Sequence, residues 1–273
     1  MPGDGSRHDP RRLVDGWQAQ LERRGLLSAA MKPAELITTA CPILGGVGSA
    51  FYFAPATLAV GKEKGLDGMR WYVLGRGGVL GDVDSSVVAS AFGYFSPAVI
   101  AKLWDSASDK TAPRPAGTRY HECAADFGRA ALSNVDGLEA FNEAAAAVIG
   151  AAHPAGLALF AGIAAEPIAD DAPGRAMQLA AVLREFRGSA HLVAVLASGL
   201  SPELAHFIRR PEMYKSFGYD DTNPPTVTDE DRARLVASDE LTDRLVLPAF
   251  SVLDARGAKS LADGAAAIKA AIG

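Results

Sequence analysis

The stretch Ala176 to Leu200, AMQLAAVLREFRGSAHLVAVLASGL, is apolar almost all the way round a helix, yet it carries Arg184, Arg187 and His191 on one side. At 100° per residue these three fall within about 60° of each other, on the face that also holds Met177, Ala180 and Val195. The opposite face, with Leu179, Leu183, Phe186, Ala190, Val193 and Ala197, is apolar throughout. A helix apolar on both sides belongs at the centre of a domain, so its cations must meet a buried carboxylate, backbone carbonyls, water or an anionic ligand. Glu185 points about 100° away from Arg184 and is not expected to be the partner of these cations.

Helical periodicity and helix-end signals extend through the rest of the chain. Met1 to about Pro10 is rich in Gly, Pro and charge and is expected to be a disordered tail; a first short helix follows through Leu13, Trp17 and Leu21. Pro33 opens a second helix, which Pro42 bends or restarts, and Gly45, Gly46 and Gly48 beside Phe51, Tyr52 and Phe53 suggest close packing or a tight turn. A helix through Met69 to Leu74 gives way to a loop at Arg76 to Gly81 and a new helix capped by Asp84. That helix keeps the stripe Val88, Phe92, Phe95, Val99, with Pro97 expected to kink it. Ser201 and Pro202 start a helix to about Arg209, and Pro211 to Pro225 reads as a surface loop or lid. Thr228 with Asp231 forms a capping box, and Ser238 caps the next helix, LTDRLVLPAFSVL. Few β-branched alternating runs occur, so the predicted fold is all-α: ten to twelve helices around a buried central helix, with little or no sheet. A single domain is expected over residues 11–273, with the Pro/Ala stretch near residues 110–118 the best candidate for an internal boundary.

Charge and motifs narrow the function classes. A net charge of −5 without basic blocks gives no reason to expect nucleic acid as a partner. No apolar run approaches the ~18 residues of a membrane span, and no signal peptide is evident, which places the chain in the cytoplasm. Cys41 and Cys123 have no CxxC spacing and read as reduced core residues. Gly75 and Gly77 begin a GxGxxG pattern whose third glycine would fall on Leu80, and no GKS or GKT follows, so neither dinucleotide nor P-loop fingerprint is met. With no HExxH and with His8, His121, His153, His191 and His206 scattered, no metal is expected; nothing specific supports haem on His191 or His121. No GxSxG elbow is present, and no cofactor is implied.

Several stretches, FYFAP at Phe51 to Pro55, GRGGVLG at Gly75 to Gly81, FGYFSPAVI at Phe92 to Ile100, VLREFRGSAHLVAVLASGL at Val182 to Leu200 and ELTDRLVLPAF at Glu240 to Phe250, together resemble one family. It is an uncharacterised, mostly actinobacterial family of helical proteins, some of whose members carry a MarR-like winged-helix segment near the C-terminus. The resemblance implies a central cluster of the form RxHRGDGH; here Arg184, Arg187, Gly188 and His191 match it, while Phe186 and Ser189 replace a histidine and an aspartate. Arg76 matches an arginine of a GRAAPLG-like stretch, and Gly48 stands where the family has a histidine. The winged helix is mostly missing, since residues 211–225 and the dozen that follow are too short for a reader of DNA.

Two readings of Arg184, Arg187 and His191 stay open: a structural ion cluster, or a site gripping a small organic anion. On the second, His191 is the general acid or base and Arg187 and Arg184 stabilise negative charge, in a cofactor-independent elimination, cyclisation or isomerisation. Arg76, Tyr72, Tyr52, Phe95 and Ser189 are the candidate substrate-binding residues. Assignment to specialised metabolism follows from the resemblance. The alternative is a non-enzymatic ligand sensor or degenerate winged-helix regulator, with the TDRLVLPAF helix and its exposed aromatics as a candidate homodimer face.

Overall fold

The computed structural model describes residues 31–273; the expected N-terminal tail and the helix through Leu13 to Leu21 lie outside the described residues. Among the described residues there are twelve α-helices, three short 3-10 turns and no strand. In chain order the helices are α1 (Pro33–Val47), α2 (Pro55–Glu63), α3 (Gly68–Gly77), α4 (Ser85–Phe92), α5 (Pro97–Ser108) and α6 (Pro113–Ala131). Then follow α7 (Leu138–Ala151), α8 (Ala158–Ala164), α9 (Ala172–Ala197), α10 (Pro202–Arg209), α11 (Asp229–Phe250) and α12 (Ala255–Ile272).

The apolar stretch read as central is α9, which packs against α1, α6, α7, α8 and α11. Asp171 starts it by accepting the Gly174 N–H, and Gly199, at φ +76°, ends the chain's helical course after Ser198. Leu179, Leu183 and Phe186 are buried between these neighbours, each removing apolar surface worth about 1.5–3 kcal/mol from water. The last two turns differ from expectation: Val193 and Leu196 are exposed, while on the other side of the helix Ala194 is buried and Val195 packs with Leu200, Ala205 and Leu235.

Four local expectations are corrected. Arg76 sits in the last turn of α3 and not in a loop, since the glycines around it continue the helix to Gly77 and its 3-10 extension to Leu80. The stripe from Val88 to Val99 is two helices. Gly93 takes φ +70°, Pro97 restarts the chain as the first residue of α5, and the turn between them delivers Tyr94 and Phe95 to the interior. Ser238 caps nothing: the helix begun by the Thr228–Asp231 capping box runs through it, and its hydroxyl donates to the Leu235 carbonyl at 2.7 Å. The aromatic of the TDRLVLPAF segment, Phe250, is buried against the core; the exposed apolar side chain there is Leu245. Residues 113–117 form the first turns of α6.

Candidate functional site

The middle of α9 forms one wall of a cleft of about 780 Å³, closed by α1, α3, the Gly93–Ser96 turn, α10 and Phe217. At one end Glu185 is buried and fully engaged. Arg76 grips it bidentately, Nε to Oε1 and Nη2 to Oε2, both at 2.8 Å. Arg184 Nη1 donates to Oε1 at 2.7 Å, and the buried Tyr52 hydroxyl donates to the same oxygen at 2.9 Å. Burial alone would raise the Glu185 pKa, but the charges of Arg76 and Arg184 and the hydrogen bonds from Arg76 and Tyr52 outweigh it and hold it at about 2. The expectation that Glu185 is no partner of these cations is therefore corrected for Arg184. Neighbouring residues do diverge by 100°, yet the long Arg184 side chain curves across its own helix to reach the buried charge.

Arg76 completes this end by donating to the Tyr72 hydroxyl at 3.2 Å and lying 4.3 Å over the Phe92 ring. Tyr72 and Arg76 line the cleft, whereas Tyr52 lies beneath the wall, where its carbonyl accepts from Tyr120 at 3.2 Å. The bidentate fork, the charge of Arg184 and the phenol together leave Glu185 little capacity for a ligand.

The other end is different. Arg187 Nη2 pairs with Asp243 on α11 at 2.8 Å, but its Nε is buried with no hydrogen-bond partner among the described residues. The Tyr94 hydroxyl and His206 Nε2 are in the same condition. His191 Nδ1 lies 2.9 Å from Thr242 Oγ1, and the Thr242 hydroxyl spends its proton on the Ser238 carbonyl at 2.7 Å. Thr242 can then only accept from the imidazole, so Nδ1 carries the proton and Nε2 is the basic nitrogen. Burial first, then the charges of Arg209 and Arg187, outweigh Asp239 and Asp243 and lower the His191 pKa to about 4. Arg209 pairs with Asp239. The Cys41 thiol also borders the cleft, and burial, only partly offset by Arg187, pushes its pKa up to about 12, which removes it as a nucleophile.

Five arginines, Arg76, Arg184, Arg187, Arg209 and Arg210, border the cleft, against the carboxylates of Glu185, Asp239 and Asp243. Cation is in excess. Phe95 and Ser189 border the cleft as well, so of the residues singled out from sequence only Tyr52 stands behind its wall. His206, Arg209 and Phe217 were not assigned to the site from sequence. A signal was present for two of them: His206 and Arg209 share a short, strongly amphipathic helix directly after α9.

Residues 37–223 match the model of a family described as a helix-turn-helix family. The chain belongs to this helix-turn-helix family. No curated protein and no solved structure matches it. Within the matched span, α9 and α10 are bent by 110° across a four-residue turn containing Gly199, the angle and turn length of a helix-turn-helix unit. Here α10 turns Ala205 and His206 inward to the cleft. Family membership weighs against the expectation, drawn from net charge, that nucleic acid is not a partner. Among the described residues no single helix is long and apolar enough to cross a membrane.

Proposed function

We propose that the cleft binds a small organic anion, held chiefly by Arg187 and His191. The observation that carries this reading is the excess of guanidinium over carboxylate in a cleft where a buried Arg187 N–H has no acceptor among the described residues. A donor left so costs about 1–3 kcal/mol, which a bound carboxylate would recover. Arg76 and Arg184 act by fixing Glu185 and the shape of the wall. His191 enters as a neutral imidazole with Nε2 ready to accept a proton, and a bound anion would raise its affinity for that proton. In this form the site supports cofactor-independent proton transfer, with the cations stabilising the charge that develops.

Calorimetric titration of wild type and Arg187→Ala with a panel of carboxylates tests it. Wild type is expected to bind at least one, and the variant to bind it about ten-fold or more weakly, the loss of one charge-assisted hydrogen bond. Because binding favours the protonated His191, affinity should rise as pH falls from 7 towards 5. Absence of binding by every acid in the panel would refute the proposal.

A second reading, a ligand-responsive regulator, is favoured by the family match and the α9–α10 geometry. Against it stands the acidic setting of α10, with Glu203, Glu212, Asp220, Asp221, Asp229, Glu230 and Asp231 in and after it. Retention of random-sequence duplex DNA in a gel shift at low salt would favour the regulator.

A further inference from the structure

The ring of Phe217 is inserted between two others: it stacks on Phe95 at a centroid distance of 4.0 Å and 16°, and on His206 at 3.9 Å and 28°. Spacing and near-parallel planes are those of a slot one aromatic ring thick. One wall, His206, lies within α10; the other, Phe95, lies in the turn just before α5, and Phe217 comes from a three-residue 3-10 turn, Lys215–Phe217, between α10 and α11. Lys215, Ser216 and Gly218 on either side of it are exposed. One backbone hydrogen bond, from Ser96 N–H to the Phe217 carbonyl at 2.9 Å, ties this turn to the Gly93–Ser96 turn.

Polar atoms gather beside the slot. Tyr94 lies between the imidazoles of His191 and His206, with ring centroids at 6.2 and 6.4 Å. Its hydroxyl, His206 Nε2 and Arg187 Nε are all buried without partners among the described residues. Three orphaned groups at one end of a cleft, next to an aromatic slot, call for one molecule that is flat at one end and rich in acceptors at the other. The guanidinium of Arg187 and the cationic excess make those acceptors anionic, and the planar fork suits a carboxylate.

We infer that the slot between Phe95 and His206 receives the ring of an aromatic carboxylate, with Arg187 and Tyr94 on the side that takes its acid group, and that Phe217 is the chain's own occupant of that slot. Ligand entry displaces Phe217 from between Phe95 and His206. This specifies the ligand class of the anion-binding cleft and rests on that reading.

The test is a titration of wild type, Phe217→Ala and Phe217→Leu with benzoate and with cyclohexanecarboxylate, acids matched in size but not in flatness. Removing the competitor should tighten benzoate binding about ten-fold and leave cyclohexanecarboxylate within about two-fold, since only the flat ring gains the two stacking faces. Leu fills apolar space but cannot stack, so it should also favour benzoate, and it carries the comparison if thermal melts show Phe217→Ala unfolded. Equal gains for both acids, or no gain for either while wild type still binds one through Arg187, would overturn the slot and leave the anion site standing. Binding of neither acid to any of the three proteins overturns the slot; the anion site itself then stands or falls with the wider carboxylate panel.

Discussion

Glu185 is the most committed side chain in the protein. It accepts from Arg76, Arg184 and Tyr52 in a buried setting, and removing its charge would leave two guanidinium groups without their counter-ion. Glu185→Gln is expected to cost about 3–5 kcal/mol in urea unfolding, more than any exposed ion pair would. Titration separates it from the histidines. Burial holds His121 at about 4, the same value as His191, against 6.5 for the unperturbed group. Between these values the unfolded chain binds more protons than the folded one, so stability falls as pH drops from about 6.5 towards 4. Each imidazole contributes at most about 1.4 kcal/mol per pH unit. Glu185, lowered from 4.5 to about 2, contributes stability that is lost only below pH 4.5. Melting temperature followed from pH 7 to 4 should therefore decline, and His121→Phe should flatten the decline. An unchanged slope in that variant would show that His121 is not held neutral.

Among the helices, glycine marks where backbones touch. The 3-10 turn after α3 lies directly on the start of α6: a Cβ on Gly117 would stand 2.6 Å from the Gly78 carbonyl carbon, and one on Gly78 would stand 2.2 Å from the Pro113 oxygen. Gly117→Ala is expected to destabilise by about 1–3 kcal/mol, as forced overpacking does. Gly150, in α7, has nothing within 4 Å of its Cβ position, and Gly150→Ala should stabilise by up to about 1 kcal/mol through helix propensity. Thermal unfolding of the two variants side by side checks both signs. The same logic explains most of the glycine-rich stretch from Gly75 to Gly81: Gly75 and Gly78 lie against α6, Gly77 lies against Trp104 of α5 and Val88 of α4, and Gly81 takes φ +90°.

The whole chain is acidic, while its cleft is bordered by more arginines than carboxylates. Net charge is −5, and five arginines border the cleft. Counter-ion release from DNA requires several lysines or arginines on one accessible face. Fluorescence anisotropy with a labelled duplex at ~150 mM salt is therefore expected to show no binding by wild type. A clear affinity at that salt would instead make the family's helix-turn-helix character the functional one here.

The amino-acid pattern already determined that the chain is helical, that α9 lies at its centre, and that Arg184, Arg187 and His191 share a face, because 3.6-residue periodicity and caps are local properties. Even the capping box at Thr228 was legible, as was the start of α10 at Ser201. What only the tertiary structure decided is who partners whom. Glu185 belongs to Arg76 although 109 positions separate them, and Arg187 meets Asp243 from 56 positions away. The break at Gly93 followed the same rule: whether a glycine and a proline four residues apart kink a helix or divide it depends on what the turn between them packs against. Buried charge and shape are settled by elements brought together in space, and pairing across such distances leaves no periodic trace in the chain.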